Sequence, residues 1–192
     1  NVGVDITTLV AGLGITGLAV ALGVQSIFKD AFASLSILVD KPFVIGDFIA
    51  VGELSGTVER VGLKTTRVRS LSGEQIVFSN GDLLDSRVRN YKAMTERRIA
   101  FSFGLEYGTP TAEVGGVPAL VRAEIDKIPG VRFDRCHLKS FADSALSFEV
   151  VYFVLTSNYL EYMDAQHLIN LGILRALEER GLRLAYPTRT LY

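Results

Sequence analysis

Polar and apolar positions divide the chain into three stretches of different period. From Ile6 to Phe28 no residue is charged. This run of about 23 residues exceeds the roughly 20 that a helix needs to cross a bilayer. Lys29 and Asp30 interrupt it, and a second apolar stretch, residues 31–39, stops at Asp40-Lys41-Pro42. The pattern predicts a membrane-crossing helix that kinks and then lies along the surface. Pro42 ends it, because the residue before proline is pushed out of the helical region.

Past Pro42 the period shortens to two. Residues 43–45, 48–51, 57–61, 65–70 and 75–79 read as short strands, with turns at Gly46-Asp47, Gly52-Glu53 and Ser72-Gly73. They predict a small all-β barrel. Residues 97–107 alternate like a further strand, 111–128 have helical spacing before Pro129-Gly130, 138–141 and 145–155 are strands, and 160–180 are helical with Gly181 as the cap. The order β-α-β-β-α predicts a ferredoxin-like α+β unit. The expected organisation is residues 1–41 for the kinked membrane helix, 42–92 for the β-barrel and 93–192 for the C-terminal α+β domain.

The membrane segment is built from small residues. Ala11, Gly12, Gly14, Gly17, Ala19, Ala21 and Gly23 alternate with Leu13, Ile15, Leu18, Val20, Leu22 and Val24. In lipid, small residues let helix backbones approach closely, so a crowded bundle is implied. Ile15, Leu18, Leu22, Gln25 and Lys29 recur at spacings of three and four and share one stripe, with glycines and alanines on its flanks. A lone anchor would gain from Leu on every side. In a ring of helices the small flanks pack against neighbours and the bulky stripe faces the axis. Rings of Leu18 and Leu22 then form an apolar constriction that stops ions by dewetting. A generic membrane anchor is the plainer alternative.

Composition narrows the rest. Twenty basic against twenty-one acidic residues leave a net charge of -1, which argues against a nucleic-acid partner held by phosphate neutralisation. One cysteine, Cys136, gives no internal disulfide, His137 and His167 lie far apart in sequence, and no Cys/His cluster offers the spacing of a structural zinc site. No metal or cofactor is expected. Gly12-Leu13-Gly14-Ile15-Thr16-Gly17 matches the dinucleotide fingerprint, with Asp30 or Asp40 downstream, but the glycines sit inside an unbroken apolar run without the strands such a site needs. Arg67, Arg69, Arg87, Arg89, Arg97 and Arg98 could contact RNA phosphates in an anchored small-barrel binder. The interleaved Asp82, Asp85 and Glu96 favour a salt-bridged surface instead. Asn1 is not an initiator Met, no basic flank precedes the apolar run, and no clear cleavage site follows it. The chain is expected to be a fragment whose start lies upstream.

Gly14-Ile15-Thr16-Gly17-Leu18-Ala19-Val20-Ala21-Leu22-Gly23-Val24-Gln25, then Lys41-Pro42-Phe43-Val44-Ile45-Gly46-Asp47, then Val77-Phe78-Ser79-Asn80-Gly81 together resemble the mechanosensitive channel of small conductance family. Phe141-Ala142-Asp143-Ser144 and the closing Tyr186-Pro187-Thr188-Arg189-Thr190-Leu191-Tyr192 extend the likeness over nearly the whole chain. The resemblance implies a homoheptamer of an inner-membrane channel in which Leu18 and Leu22 are the gate. Ala11, Ile15, Gln25 and Lys29 line the pore, while Gly14, Gly17, Ala19, Ala21 and Gly23 pack the helices. Ser26 marks the kink and Pro42 the exit into the β domain. Residues after about Lys41 are then cytoplasmic, membrane lipids surround the helix, and ions and small osmolytes are the cargo. The chain differs from the family's usual pattern in Ser26 for Gly, Ser79 for Pro, and the charged pair Lys29-Asp30.

Overall fold

The computed structural model describes residues 6–187. They fall into two compact units that divide between Lys92 and Ala93.

The first unit opens with α1 (Ile6–Asp40), 35 residues without a break in helical structure. At about 1.5 Å per residue it is some 50 Å long, against a hydrocarbon core of about 30 Å. Its end has a clear cause. Pro42 forbids Lys41 the right-handed helical region, and Lys41 takes φ 48 instead, its amide closing the last turn on the Ile37 carbonyl at 3.0 Å.

Five strands follow, β1 (Phe48–Val51), β2 (Leu54–Val61), β3 (Thr65–Ser70), β4 (Gln75–Ser79) and, after the short helix α2 (Asn80–Asp85), β5 (Val88–Asn90). All pair antiparallel in the order β4-β3-β2-β1-β5. A register shift in β2 between Val58 and Arg60 supplies the bulge that lets so small a sheet bend. Gly56 permits the close approach of β2 and β3, because a Cβ there would strike the Arg69 carbonyl. Alternation sends Ile49, Val58 and Val68 inward. Ile37 from α1, Phe43 and Leu83 from α2 complete that core, so the end of the helix belongs to the β unit's interior.

The sequence pattern placed a strand at 43–45, and none forms there. Val44 and Ile45 are exposed, Gly46 turns the chain at φ 89, and Asp47 Oδ2 accepts the Val44 amide at 3.0 Å. These residues are apolar without being strand-paired.

The second unit contains β6 (Arg97–Leu105), α3 (Thr111–Ile125), β7 (Val131–Ala142), β8 (Ala145–Val154) and α4 (Tyr159–Glu179). Its sheet is antiparallel in the order β6-β8-β7, the expected β-α-β-β-α arrangement. Phe148, Val150 and Tyr152 alternate towards α3 and α4, where Val117, Val121, Ile169 and Ile173 meet them. Tyr152 is fully buried, and its hydroxyl donates to Gln166 Oε1 at 2.7 Å. Asn158 caps α4 by accepting the Leu160 amide at 3.0 Å, and Gly181 at φ 68 ends it. β7 begins seven residues earlier than the expected 138, for reasons of register taken up in the Discussion.

Candidate pore helix and its anchorage

Projected at about 100° per residue, the described part of α1 before Lys29 sorts into four faces. Ala11, Ile15, Leu18, Leu22, Gln25 and Lys29 occupy one arc of about 80°. Gly14, Gly17 and Ala21 lie on one side of it, and Gly12, Ala19 and Gly23 on the other. Leu13, Val20 and Ile27 form the back.

None of this surface is covered by the rest of the chain. Ile15 is 72% exposed, Leu18 62% and Leu22 64%. A Cβ added at Gly12, Gly14, Gly17 or Gly23 would meet nothing within 4 Å. The glycines therefore make no close approach within a single chain. Among helix residues, a glycine without such a reason costs about 1 kcal/mol relative to alanine. Thr16, a hydroxyl in the middle of this apolar region, donates to the Gly12 carbonyl at 2.9 Å, which satisfies it inside the helix.

The second half of α1 is different. Asp30, Ala33 and Ile37 are buried, spaced so that they share one face. Asp30 Oδ1 accepts the backbone amide of Gly81 at 2.9 Å, and Lys29 Nζ donates to Asp85 Oδ2 at 2.5 Å. Both partners are in α2. This short helix is held by Ser79, whose hydroxyl accepts the Asp82 amide at 3.2 Å. Asn80 is wholly buried beside it. Its Oδ1 accepts from Thr66 Oγ1 at 2.8 Å, and its Nδ2 donates to the carbonyls of Gly62 at 2.8 Å and Leu63 at 3.1 Å. Asn80 thus ties α2 to the β2–β3 connection while Asp30 ties α1 to α2. Asn90 does the same for the helix exit, its Nδ2 donating to the Pro42 carbonyl at 3.1 Å and to Asp47 Oδ2 at 2.8 Å.

Set beside the expected site residues, Ala11, Ile15, Leu18, Leu22 and Gln25 share an exposed face. Lys29 continues the same arc, but its ammonium is engaged by Asp85. Ser26 sits within unbroken helix. The anchor formed by Asp30 and Gly81 was not read from sequence. Its signal is a charged residue inside an otherwise apolar helix, which must be matched by a donor when buried.

Other motifs resolve as follows. The Gly12–Gly17 fingerprint lies in the middle of α1, with helix on both sides and no strand leading into it, so the geometry of a dinucleotide site is absent there. Cys136 is buried, and burial pushes its thiol up to about 11, away from nucleophilic chemistry. Two members of the basic series meet partners other than the expected Asp82, Asp85 and Glu96. Arg69 forks onto Glu59 at 2.7 and 3.1 Å, holding that carboxyl below its usual range, with Gln75 adding a third bond at 2.9 Å. Arg97 packs against the rings of Tyr159 and Tyr162, and Glu96 pairs with Arg132 rather than with the series.

Three family profiles match consecutive parts of the chain: the transmembrane helices 2/3 of mechanosensitive ion channels at residues 1–25, their beta-domain at 26–93, and the MscS C-terminal domain at 99–184. The small-conductance mechanosensitive channel MscMJ of Methanocaldococcus jannaschii is 36% identical over all of this chain and 55% of its own length. The low conductance mechanosensitive channel YnaI of Escherichia coli is 30% identical over 99% of this chain and 57% of its own. The chain thus spans a little over half of these relatives. The cryo-EM structure of Arabidopsis thaliana MSL1 superposes with a TM-score of 0.86 at 19% identity, covering 96% of this chain and 68% of that one. The closed-state crystal structure of Helicobacter pylori MscS gives 0.82 at 23%, covering 99% and 74%. These two establish the fold: a membrane helix, a small Sm-like barrel and a ferredoxin-like α+β domain. With all three profiles in order along it, the chain belongs to the small-conductance mechanosensitive channel (MscS) family.

Proposed function

We propose that this chain supplies the pore-lining helix and the cytoplasmic part of a homo-oligomeric channel that membrane tension opens, releasing ions and small osmolytes during hypoosmotic shock. The supporting observation is the pairing of an exposed bulky stripe with glycines that have open space in a single chain. Several copies in a ring give both features a purpose. The small flanks meet across each helix–helix contact, and the stripe of Ile15, Leu18 and Leu22 turns to the axis. Leu18 and Leu22, one turn apart, then make two apolar rings that empty of water when narrow.

In this reading the copies number seven, the membrane is the cell's inner membrane, and residues after about Lys41 are cytoplasmic. The bend between pore helix and surface helix falls at Ser26, and the parts 1–41, 42–92 and 93–192 act as pore, barrel and vestibule. Tension favours whichever state has the larger in-plane area, and it shifts the equilibrium only by that difference. Sliding along the Gly/Ala flanks lets the helices tilt, and the leucine rings leave the axis. Asp30 and Lys29 keep the lower half of α1 on its β unit, so the movement is concentrated above them.

Patch-clamp recording of the reconstituted full-length protein under graded suction tests the proposal. Stepwise conductance that appears only with tension is the expected result. An inserted, oligomeric protein that stays silent at lytic tension would sink it.

A further inference from the structure

Lys29 is the first charge after the uncharged run from Ile6 to Phe28. It also ends the arc that carries Ile15, Leu18, Leu22 and Gln25, about 10 Å along the helix from Leu22. An ion leaving the proposed constriction towards the β unit therefore meets Lys29 before any other charge of α1.

The ammonium does not stand alone there. Its aliphatic stem crosses Gly81, where an added Cβ would lie 3.1 Å from Lys29 Cε and 3.3 Å from Cδ. Laid in this way, the side chain brings Nζ to Asp85 Oδ2 at 2.5 Å. Both side chains remain open to solvent, Lys29 at 54% and Asp85 at 64%. An ion pair so exposed adds little to stability, and the buried bond from the Gly81 amide to Asp30 already fastens α1 to α2. Nor does Asp85 serve α2, since it is the last residue of that helix, the end at which the backbone dipole disfavours a carboxylate. What the pair does is cancel two opposite charges in water beside the pore arc. The neighbouring charges leave that balance as it is. Asp30 is buried on its amide, while Asp82 and Arg87, on either side of Asp85 in sequence, are of opposite sign.

We infer that Lys29 and Asp85 together set the ion preference of the pore, given the orientation of α1 proposed above, each hiding the other's charge from passing ions. Unpaired, either charge acts on every ion that passes. Before screening, a unit charge about 10 Å away changes the local concentration of a monovalent ion roughly twofold in water, and each copy in the ring repeats it. Rings of charged side chains select ions on this principle.

The test is the ratio of K+ to Cl− permeability, taken from reversal potentials of the tension-opened full-length channel in a KCl gradient. Lys29→Gln leaves the carboxylate unpaired and should raise that ratio at least twofold over wild type. Asp85→Asn leaves the ammonium unpaired and should lower it at least twofold. The double variant, Lys29→Gln with Asp85→Asn, should return to the wild-type ratio. Both single shifts should shrink between about 0.1 M and about 1 M salt, as the screening length falls from about 10 Å to about 3 Å. A merely structural pair would alter the opening tension in both single variants and leave the ratio alone, and that result overturns the inference. Shifts of the same sign in the two single variants would report a change of pore width and overturn it equally. Unchanged ratios in channels that open normally sink the inference alone, whereas wild-type protein that never conducts under tension takes the pore reading down with it.

Discussion

Asp30 and Gly81 are 51 positions apart in sequence, yet the buried carboxylate of the first accepts the amide of the second at 2.9 Å. A charged side chain in the middle of an apolar helix is tolerable only with such a donor. Asp30→Ala would leave the Gly81 amide without its acceptor, at about 1–3 kcal/mol. Protection of that amide in hydrogen exchange should fall about tenfold to a hundredfold, while Asp30→Asn, which retains an oxygen acceptor, should lose less. Unchanged protection in Asp30→Ala would show that the amide finds another partner and that the contact is no anchor.

Asn80 gives a second, independent test of how α2 is fixed. Three bonds satisfy its amide in a site with no solvent access. Asn80→Leu has similar volume but strands two carbonyls and one hydroxyl, each worth about 1 kcal/mol or more when buried. A fall in thermal stability of several degrees is expected in detergent. Asn80→Asp should be no better, since it turns a carboxylate towards the carbonyls of Gly62 and Leu63. Wild-type melting of Asn80→Leu would show that water replaces the side chain.

The sequence announced the regular elements where period and punctuation agreed. β3 and β4 have the expected bounds because Thr66 and Val68 alternate cleanly against Arg67 and Arg69, with Ser72-Gly73 between the strands. β7 was legible only at its end. Register shifts between Phe133 and Arg135, and again between Leu138 and Ser140, change the phase of its inward positions, so no single alternation runs through it. α2 and β5 are six and three residues long, too short to show a period. Their signal is local: Ser79 capping the Asp82 amide three residues on. The candidate pore stripe was visible because it is defined by spacing along one helix. The anchor through Asp30, Gly81 and Asn80 was not, since it depends on which backbone amide the fold brings to a carboxylate.

For the proposed gate, the sign of the effect is set by wetting. Leu22→Ser replaces an apolar ring with hydroxyls in every copy, which favours water in the narrow pore. Openings without applied tension should rise at least tenfold, and Leu18→Ser should act in the same direction. Cells expressing either variant should grow poorly. A Leu22→Ser channel that is silent at rest and opens at the wild-type tension would place the constriction elsewhere.

The buried thiol of Cys136 offers a check on the second unit through pH. An ordinary thiol, near 8.5, is substantially ionised at pH 8.5. Burial raises Cys136 to about 11, so its thiolate fraction there is smaller by roughly a hundredfold. Alkylation of the native protein should be correspondingly slow and should keep rising between pH 8 and 10. A rate that levels off near pH 9 would mean that the β7–α3 packing around the thiol opens to solvent.

Gly17 separates packing between copies from packing within one. On a single chain a Cβ there meets nothing within 4 Å, so Gly17→Val costs the isolated subunit only what a β-branched residue costs a helix, and in water even that is less than glycine's own penalty. Any larger effect has to arise where two helices approach. If Gly14, Gly17 and Ala21 form one contact flank and Gly12, Ala19 and Gly23 the facing one, Gly17→Val thickens the contact by an isopropyl group in every copy. Gly12→Val should do the same from the other side, whereas Leu13→Val, on the back of the helix, should be close to neutral. The expected readout is a higher opening tension, or loss of the oligomer in native mass spectrometry, for the two glycine variants alone. If all three variants opened at the same tension and assembled alike, the flanks would not be contact surfaces, and the pore orientation of Leu18 and Leu22 derived from them would fall too.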